Sequence, residues 1–369
     1  MTRPAVMHID LSALQHNCLR IKACAPGSKI IGVVKANAYG HGAVEIAKAL
    51  EKPECGVEML AVSGVEEALP LRRAGITMPI LLLQGCFHAE EYQLASQHNL
   101  DVVFHCYQQL EQLQAQVFAS PINAWLKADT GMHRLGFMPE EIRHSYQVLG
   151  NHSGVNRNMV LMTHIASADL PGNPHTEQQI AQFRELHQGL EAEFNHHIAT
   201  SIGNSATILA WPEGHSEFVR PGMMMYGCSP FGEREAKDEQ LKPVMTLKSA
   251  VIAIREIPAN SKVGYGGRWQ APATSVIATV AIGYGDGYPC NVQDGTPVLV
   301  NGKRASIAGR VAMDMLTVDV THCGKVNIGD EVVLWGAGLD VNQVAKHAAT
   351  IGYELITRMP QRVPKVYIE

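Results

Sequence analysis

The feature that most restricts the fold is a repeated alternation: from residue 28 to about 226, short apolar runs recur between longer amphipathic stretches. Eight runs read as strands, namely Ile30–Val34, Val57–Val62, Pro79–Leu83, Asp101–Phe104, Asn123–Lys127, Met159–His164, Ile198–Ile202 and Phe218–Met225. The segments between them, such as EEALPLRRAG and EQQIAQFRELHQGLEAEF, have helical spacing, so the pattern is one of repeated βα units around a parallel sheet. Eight units predict a (β/α)8 TIM-type barrel. A doubly wound open sheet would want a GxGxxG turn after the first strand, and KANAYGHG is not one.

Beyond the polar segment GEREAKDEQLK (232–242) the pattern changes to strands and tight turns, with a hairpin signal at Asn301–Gly302 and one short helix near VNQVAKHAA. A chain of 369 residues also exceeds what one hydrophobic core usually supports. The expected organisation is a barrel over 1–240 followed by a mainly β domain over 241–369.

Composition narrows the function classes. No run of about 18 apolar residues is present to span a membrane, and the N-terminal MTRPAVMHIDLSALQHN lacks the apolar core of a signal peptide, so the expected location is cytoplasmic. The eight cysteines show no CxxC pair or zinc-finger spacing, which predicts reduced thiols and no metal site. A net charge of -5 without any basic run gives no footprint for nucleic acid or anionic lipid. A small molecule is the expected partner.

The stretch Val33-Val34-Lys35-Ala36-Asn37-Ala38-Tyr39-Gly40-His41-Gly42 delivers a lysine to the carboxyl end of the first strand, which in a parallel barrel is the catalytic face. A lysine partly desolvated there loses its proton more easily than its ordinary value of about 10.4 suggests, and can form an imine with an aldehyde. On position alone, a lysine snorkelling out at a strand end is an equally good account.

VVKANAYGHG closely resembles the pyridoxal-5'-phosphate (PLP) attachment signature of the alanine racemases. Further blocks match in family order: LKADTGMHRLGF (126–137), THIASAD (163–169), NSATILAWPEGH (204–215), VRPGMMMYG (219–227), VGYGGRW (263–269), AIGYGDGYP (281–289), GRVAMDM (309–315) and YELITR (353–358). Segment 53–69 matches only loosely. The family's fold is a PLP-binding barrel followed by a β domain, in agreement with the layout above.

The resemblance implies a racemase of L- and D-alanine with two bases, Lys35 on one face of the alpha carbon and Tyr265, from the second subunit of a homodimer, on the other. It implies that Tyr39, Ser205, Gly222, Met223 and Tyr353 hold the cofactor phosphate, and that Arg220 donates to the pyridine nitrogen. An arginine keeps its proton, so the ring nitrogen should stay unprotonated and the cofactor a weaker electron sink. His164 would lie between Tyr265 and Arg220 and help the phenol act as a base. Arg134 and the backbone N–H of Met313, the latter from the neighbouring subunit, would hold the substrate carboxylate. Lys127 occupies a position carbamylated in many members, and Tyr284 and Asp314 match residues lining the substrate entrance. The product, D-alanine, would supply peptidoglycan.

Other classes remain to be weighed against this reading. A broad-specificity racemase of the same fold would share both bases, and a barrel-type PLP decarboxylase would keep the lysine but lack Arg220 and Tyr265. A single-barrel PLP-binding protein would have no β domain, and a cofactor-free Schiff-base aldolase needs Lys35 alone.

Overall fold

The computed structural model describes residues 3–369 and divides into two compact units. One takes in residues 18–38 and 43–225, the other, among the described residues, 3–17, 39–42 and 226–369. The first strand, β1 (Val6–Asp10), belongs to the second unit.

The first unit is a closed parallel barrel of β2 (Lys29–Val33), β3 (Val57–Val62), β4 (Ile80–Leu82), β5 (Leu100–Phe104), β6 (Ala124–Lys127), β7 (Val160–Met162), β8 (Ala199–Ser201) and β9 (Phe218–Val219). Each run expected to be a strand contains one. Sheet and helix layers cover both faces of these strands, which is why β4, β5 and β6 are buried along their whole length rather than alternating. One carboxylate lies in that interior: Asp101 accepts from Asn123 Nδ2 at 2.8 Å and from the Trp125 indole at 2.9 Å. The helices Val65–Arg73 and Pro174–Phe194 occupy the amphipathic stretches, the second opened by Asn173, whose side chain accepts from His175 N–H.

The eighth strand is shorter than the run Phe218–Met225 suggests. Pro221 has no N–H for a ladder, and Met225 N–H bonds back to Gly222 C=O at 2.9 Å, so the chain turns instead. Met223, Met224 and Met225 are nevertheless fully buried, which explains their strand-like apolar signature.

The second unit is built on an eight-stranded, mainly antiparallel sheet. Its spine is the 13-residue β10 (Met245–Ile257), and the others are β13 (Ser275–Val280), β14 (Pro297–Val300), β15 (Lys303–Ile307), β16 (Leu316–Asp319), β17 (Glu331–Trp335) and β18 (Lys365–Ile368); β11 (Lys262–Val263) and β12 (Trp269–Gln270) form a small separate ribbon. β1 pairs antiparallel with β10 and parallel with β18. The turn expected at Asn301–Gly302 joins β14 to β15, both residues with positive φ, and the expected short helix is Val341–His347.

Candidate active site

In the barrel unit, the segments that leave the carboxyl ends of the strands gather most of the residues singled out from the sequence. Lys35 follows β2, Lys127 ends β6, Arg134 sits in the loop after it, His164 follows β7, Ser205 lies beyond β8, and Arg220 directly follows β9. Lys35, Lys127, Arg134 and Arg220 lie close enough to repel one another, and His164 feels all four.

The titration of these groups follows from burial and that crowding. Burial chiefly pulls the Lys35 ammonium below its ordinary range, Arg134 adds to the effect, and Glu67 opposes it. Lys127, 7% exposed, is pushed down to about 8 by burial and then by Arg220 and Arg134. The His164 imidazole is driven well below its usual value by burial and the four cations, so it is neutral at pH 7. Arg220 is brought down to about 10 by burial and remains protonated at neutral pH.

Arg220 is held by acceptors without charge. Its guanidinium donates to Ser201 Oγ, to Thr163 C=O at 2.6 Å and to Ile202 C=O at 3.3 Å, and no carboxylate pairs with it among the described residues. Beside it, Ser205 Oγ accepts from Gly222 N–H at 3.0 Å and from Met224 N–H at 3.2 Å, which joins the loops after β8 and β9. Met223, between those two N–H donors, is fully buried.

The loop bearing Arg134 is folded by Asp129, which sequence reasoning passed over inside the LKADTGMHRLGF block. One carboxylate oxygen accepts from Gly131, Met132 and His133 N–H at 2.9, 2.9 and 3.1 Å. Burial works against its charge, but those three donors outweigh it and hold the carboxyl below the ordinary aspartate range. Glu67 was missed too, and it lies in the segment whose family match is loose; no pattern in the sequence marks it.

The second unit carries the remaining expected residues. Tyr39 is buried, stacks on Tyr226 at 4.9 Å between centroids, and lies 6.2 Å from the Tyr353 ring; burial pushes its phenol up to about 12. Tyr265, Met313 and Asp314 line one open hollow of about 510 Å3. Tyr284 is tied to it, since Tyr284 N–H donates to Ala312 C=O at 3.0 Å and Gly285 N–H to Met313 C=O at 2.9 Å. A charged lattice fixes these turns: buried Asp286 pairs with Arg3 at 3.0 Å and Arg362 at 2.9 Å, and Arg362 also binds Asp314. Tyr265 is 72% exposed and Met313 54%, both uncovered by their own chain.

Among the described residues, no cluster of three or more His, Cys, Asp or Glu could hold a metal ion, and no helix is long and apolar enough to cross a membrane. The barrel site instead has the make-up of an anion receptor. Four cations face two carboxylates, Glu67 and Asp129, and a buried guanidinium is left without a counter-ion.

Comparison with known proteins decides the family. Residues 9–230 match the model of the alanine racemase N-terminal domain and residues 244–367 that of its C-terminal domain. The chain belongs to the alanine racemase family. It is 45% identical over 364 residues to alanine racemase of Aliivibrio salmonicida, with 99% of each chain covered, and 46% identical over 366 residues to the catabolic alanine racemase of Pseudomonas putida, again with 99% of each. The crystal structure of the biosynthetic alanine racemase from Pseudomonas aeruginosa superposes with a TM-score of 0.93 at 44% identity, covering 100% of both chains. That of alanine racemase from Bacillus anthracis with bound L-Ala-P superposes with a TM-score of 0.87 at 31% identity, covering 100% of this chain and 96% of that one. The protein is thus an alanine racemase family enzyme with a parallel barrel and an antiparallel β domain.

Proposed function

We propose that the protein interconverts L- and D-alanine with PLP bound through Lys35, in the cytoplasm, as a homodimer whose sites draw residues from both subunits, and that its D-alanine supplies peptidoglycan. The observation that carries this reading is the cluster of Lys35, Lys127, Arg134 and Arg220 in the barrel, four cations only partly offset by Glu67 and Asp129. A phosphate-bearing aldehyde and an amino-acid carboxylate are the kinds of anion that would neutralise it.

The residues fit that cofactor. Ser205, Gly222 and Met223, with the phenols of Tyr39 and Tyr353, would hold its phosphate, Arg220 its ring nitrogen and Lys35 its aldehyde carbon; His164 would flank the ring. When bound, PLP acidifies the alpha C–H of an amino acid attached to it. Lys35 Nζ, whose proton is loosened by burial, takes or returns the alpha proton on one face. The Tyr265 phenol of the second subunit does the same on the opposite face. Neutral His164 can assist the phenol by hydrogen bonding, relaying to Arg220, but carries no charge of its own to lend. Arg134 and the Met313 N–H hold the carboxylate, Lys127 supports Arg134 from beside it, and Tyr284 and Asp314 line the way in. The bound L-Ala-P in the Bacillus anthracis relative supports an alanine-sized substrate.

Borohydride reduction of the PLP-loaded protein followed by peptide mapping should place the label on Lys35. Turnover of both alanine enantiomers should disappear in Lys35→Ala. Labelling of another lysine, or equal turnover of serine and alanine, would replace this reading with another pocket or with a broad-specificity racemase.

A further inference from the structure

Immediately after Lys35 the backbone does something that its residues resist. Ala36, Asn37 and Ala38 have φ of 51°, 55° and 53° with ψ near 50°, a left-handed turn without a glycine in it. Every L residue pays for that conformation because Cβ crowds the following carbonyl, and alanine has no polar side chain to compensate. Part of the compensation is local: Ala38 N–H donates to Val34 C=O at 2.8 Å, and Asn37 Oδ1 accepts from Ala43 N–H at 2.9 Å.

The remainder comes from the next βα unit. Glu67 Oε1 accepts from Ala36 N–H at 2.7 Å, while Oε2 accepts from Ser63 N–H, also at 2.7 Å. The bond to Ser63 N–H, one residue before the N-cap Gly64, is local to Glu67's own strand-to-helix turn. The bond to Ala36 is not. Both oxygens are thereby committed, one to the end of β3 and one to the first peptide after Lys35, in a charge-assisted clamp between adjacent strands.

We infer that Glu67 is a positioning residue for Lys35: its carboxylate clamps the left-handed turn to the end of β3 and so fixes the direction in which the Lys35 side chain leaves the barrel. This rests on the reading of Lys35 as the lysine that binds PLP. Glutamine cannot replace it, since an amide offers one acceptor oxygen and would turn its NH2 toward the other N–H. Lys35 also faces Arg134, Lys127 and His164, and Glu67 is the anion that opposes them.

The test follows the rate at which Lys35 of the full-length protein is labelled by PLP and borohydride, as a function of pH. The plateau at high pH, where the amine is neutral, reads its placement; the midpoint reads its charge environment. In Glu67→Gln the plateau should fall about ten-fold, as expected for loss of one charge-assisted hydrogen bond, and the midpoint should move to lower pH. Glu67→Asp keeps the charge but is one methylene short, so its plateau falls while its midpoint stays. Adding Ala36→Gly to Glu67→Gln eases the left-handed backbone and should recover part of the plateau. An unchanged plateau in both variants, or no recovery with Ala36→Gly, overturns the inference. Circular dichroism identifies variants that fold; if neither Glu67 variant does, the carboxylate holds the barrel rather than Lys35, and the inference is again overturned. Absence of Lys35 labelling in the unaltered chain would instead sink the functional reading beneath it.

Discussion

At the scale of single residues, the site is governed by which charges are left unpaired. Arg220 sits buried against Ser201, Thr163 and Ile202, all neutral acceptors, so its charge is free to act on whatever lies at the centre of the barrel. If Arg220 meets the pyridine nitrogen as proposed, replacing it by glutamate would present a carboxylate to the ring, favour its protonated form, and strengthen the cofactor as an electron sink. Racemisation in Arg220→Glu should slow by roughly ten- to a hundred-fold, since each ~1.4 kcal/mol of lost transition-state balance is a factor of ten. Some alanine should then be diverted to pyruvate, detectable by chromatography in amounts that track the sites present. Weak PLP binding could imitate the slowing but not the new product. A variant that keeps its PLP, its full rate and its single product would show that Arg220 does not set the reaction's course.

At the scale of elements, two glycines separate turns that merely need their backbone from turns that also lack room. Gly302, in the hairpin between β14 and β15, has φ +75° and nothing within 4 Å of where a Cβ would stand. Gly302→Ala therefore costs only the conformational term, about 1–2 kcal/mol. Gly136, with φ +135°, closes the loop that carries Arg134, and a Cβ there would meet Asp129 N at 2.6 Å and the Ala128 carbonyl carbon at 2.8 Å. Its neighbour Phe137 N–H is bonded to Lys127 C=O at 2.9 Å, so neither side can yield without moving the loop. Gly136→Ala should cost upwards of about 3 kcal/mol and, on the proposed reading of Arg134 as the residue that holds the substrate carboxylate, raise KM for alanine more than it lowers kcat. Thermal unfolding and steady-state kinetics on the pair check this; equal losses of Tm with an unaltered KM in Gly136→Ala would remove the loop from substrate binding.

For the molecule as a whole, the hollow lined by Tyr265 and Met313 is the surface on which the proposed dimer rests. Met315 and Tyr284 are also exposed, at 44% and 43%, so several large apolar side chains stand uncovered on one face of the β unit. Such a patch argues for burial against a second copy. Chains carrying Lys35→Ala and chains carrying Tyr265→Phe should each be inactive, yet mixing them under conditions of subunit exchange should restore activity, because one of the two sites in each hybrid dimer then has both bases. Activity that fails to return although exchange is proven by mass labels would rule out shared sites.

The βα rhythm and the strand-end position of Lys35 were legible in the sequence because they are set by local hydrophobic spacing, which a chain carries with it. The Asn301–Gly302 turn was legible for a similar reason, since its backbone demands those two residue types. What spacing could not supply is anything made by residues far apart in the chain. The docking of β1 between β10 and β18, about 240 and 360 positions away, depends on edges that exist only once both strands are folded. The depressed titration of Lys127 and His164 arises first from burial and then from cations delivered by different strands, and neither residue's neighbours in sequence announce it. Glu67 is the clearest case. In sequence it is a glutamate in the first turn of a helix; only the closure of β2 against β3 puts its second oxygen on Ala36 and gives a left-handed turn of alanines a reason to hold.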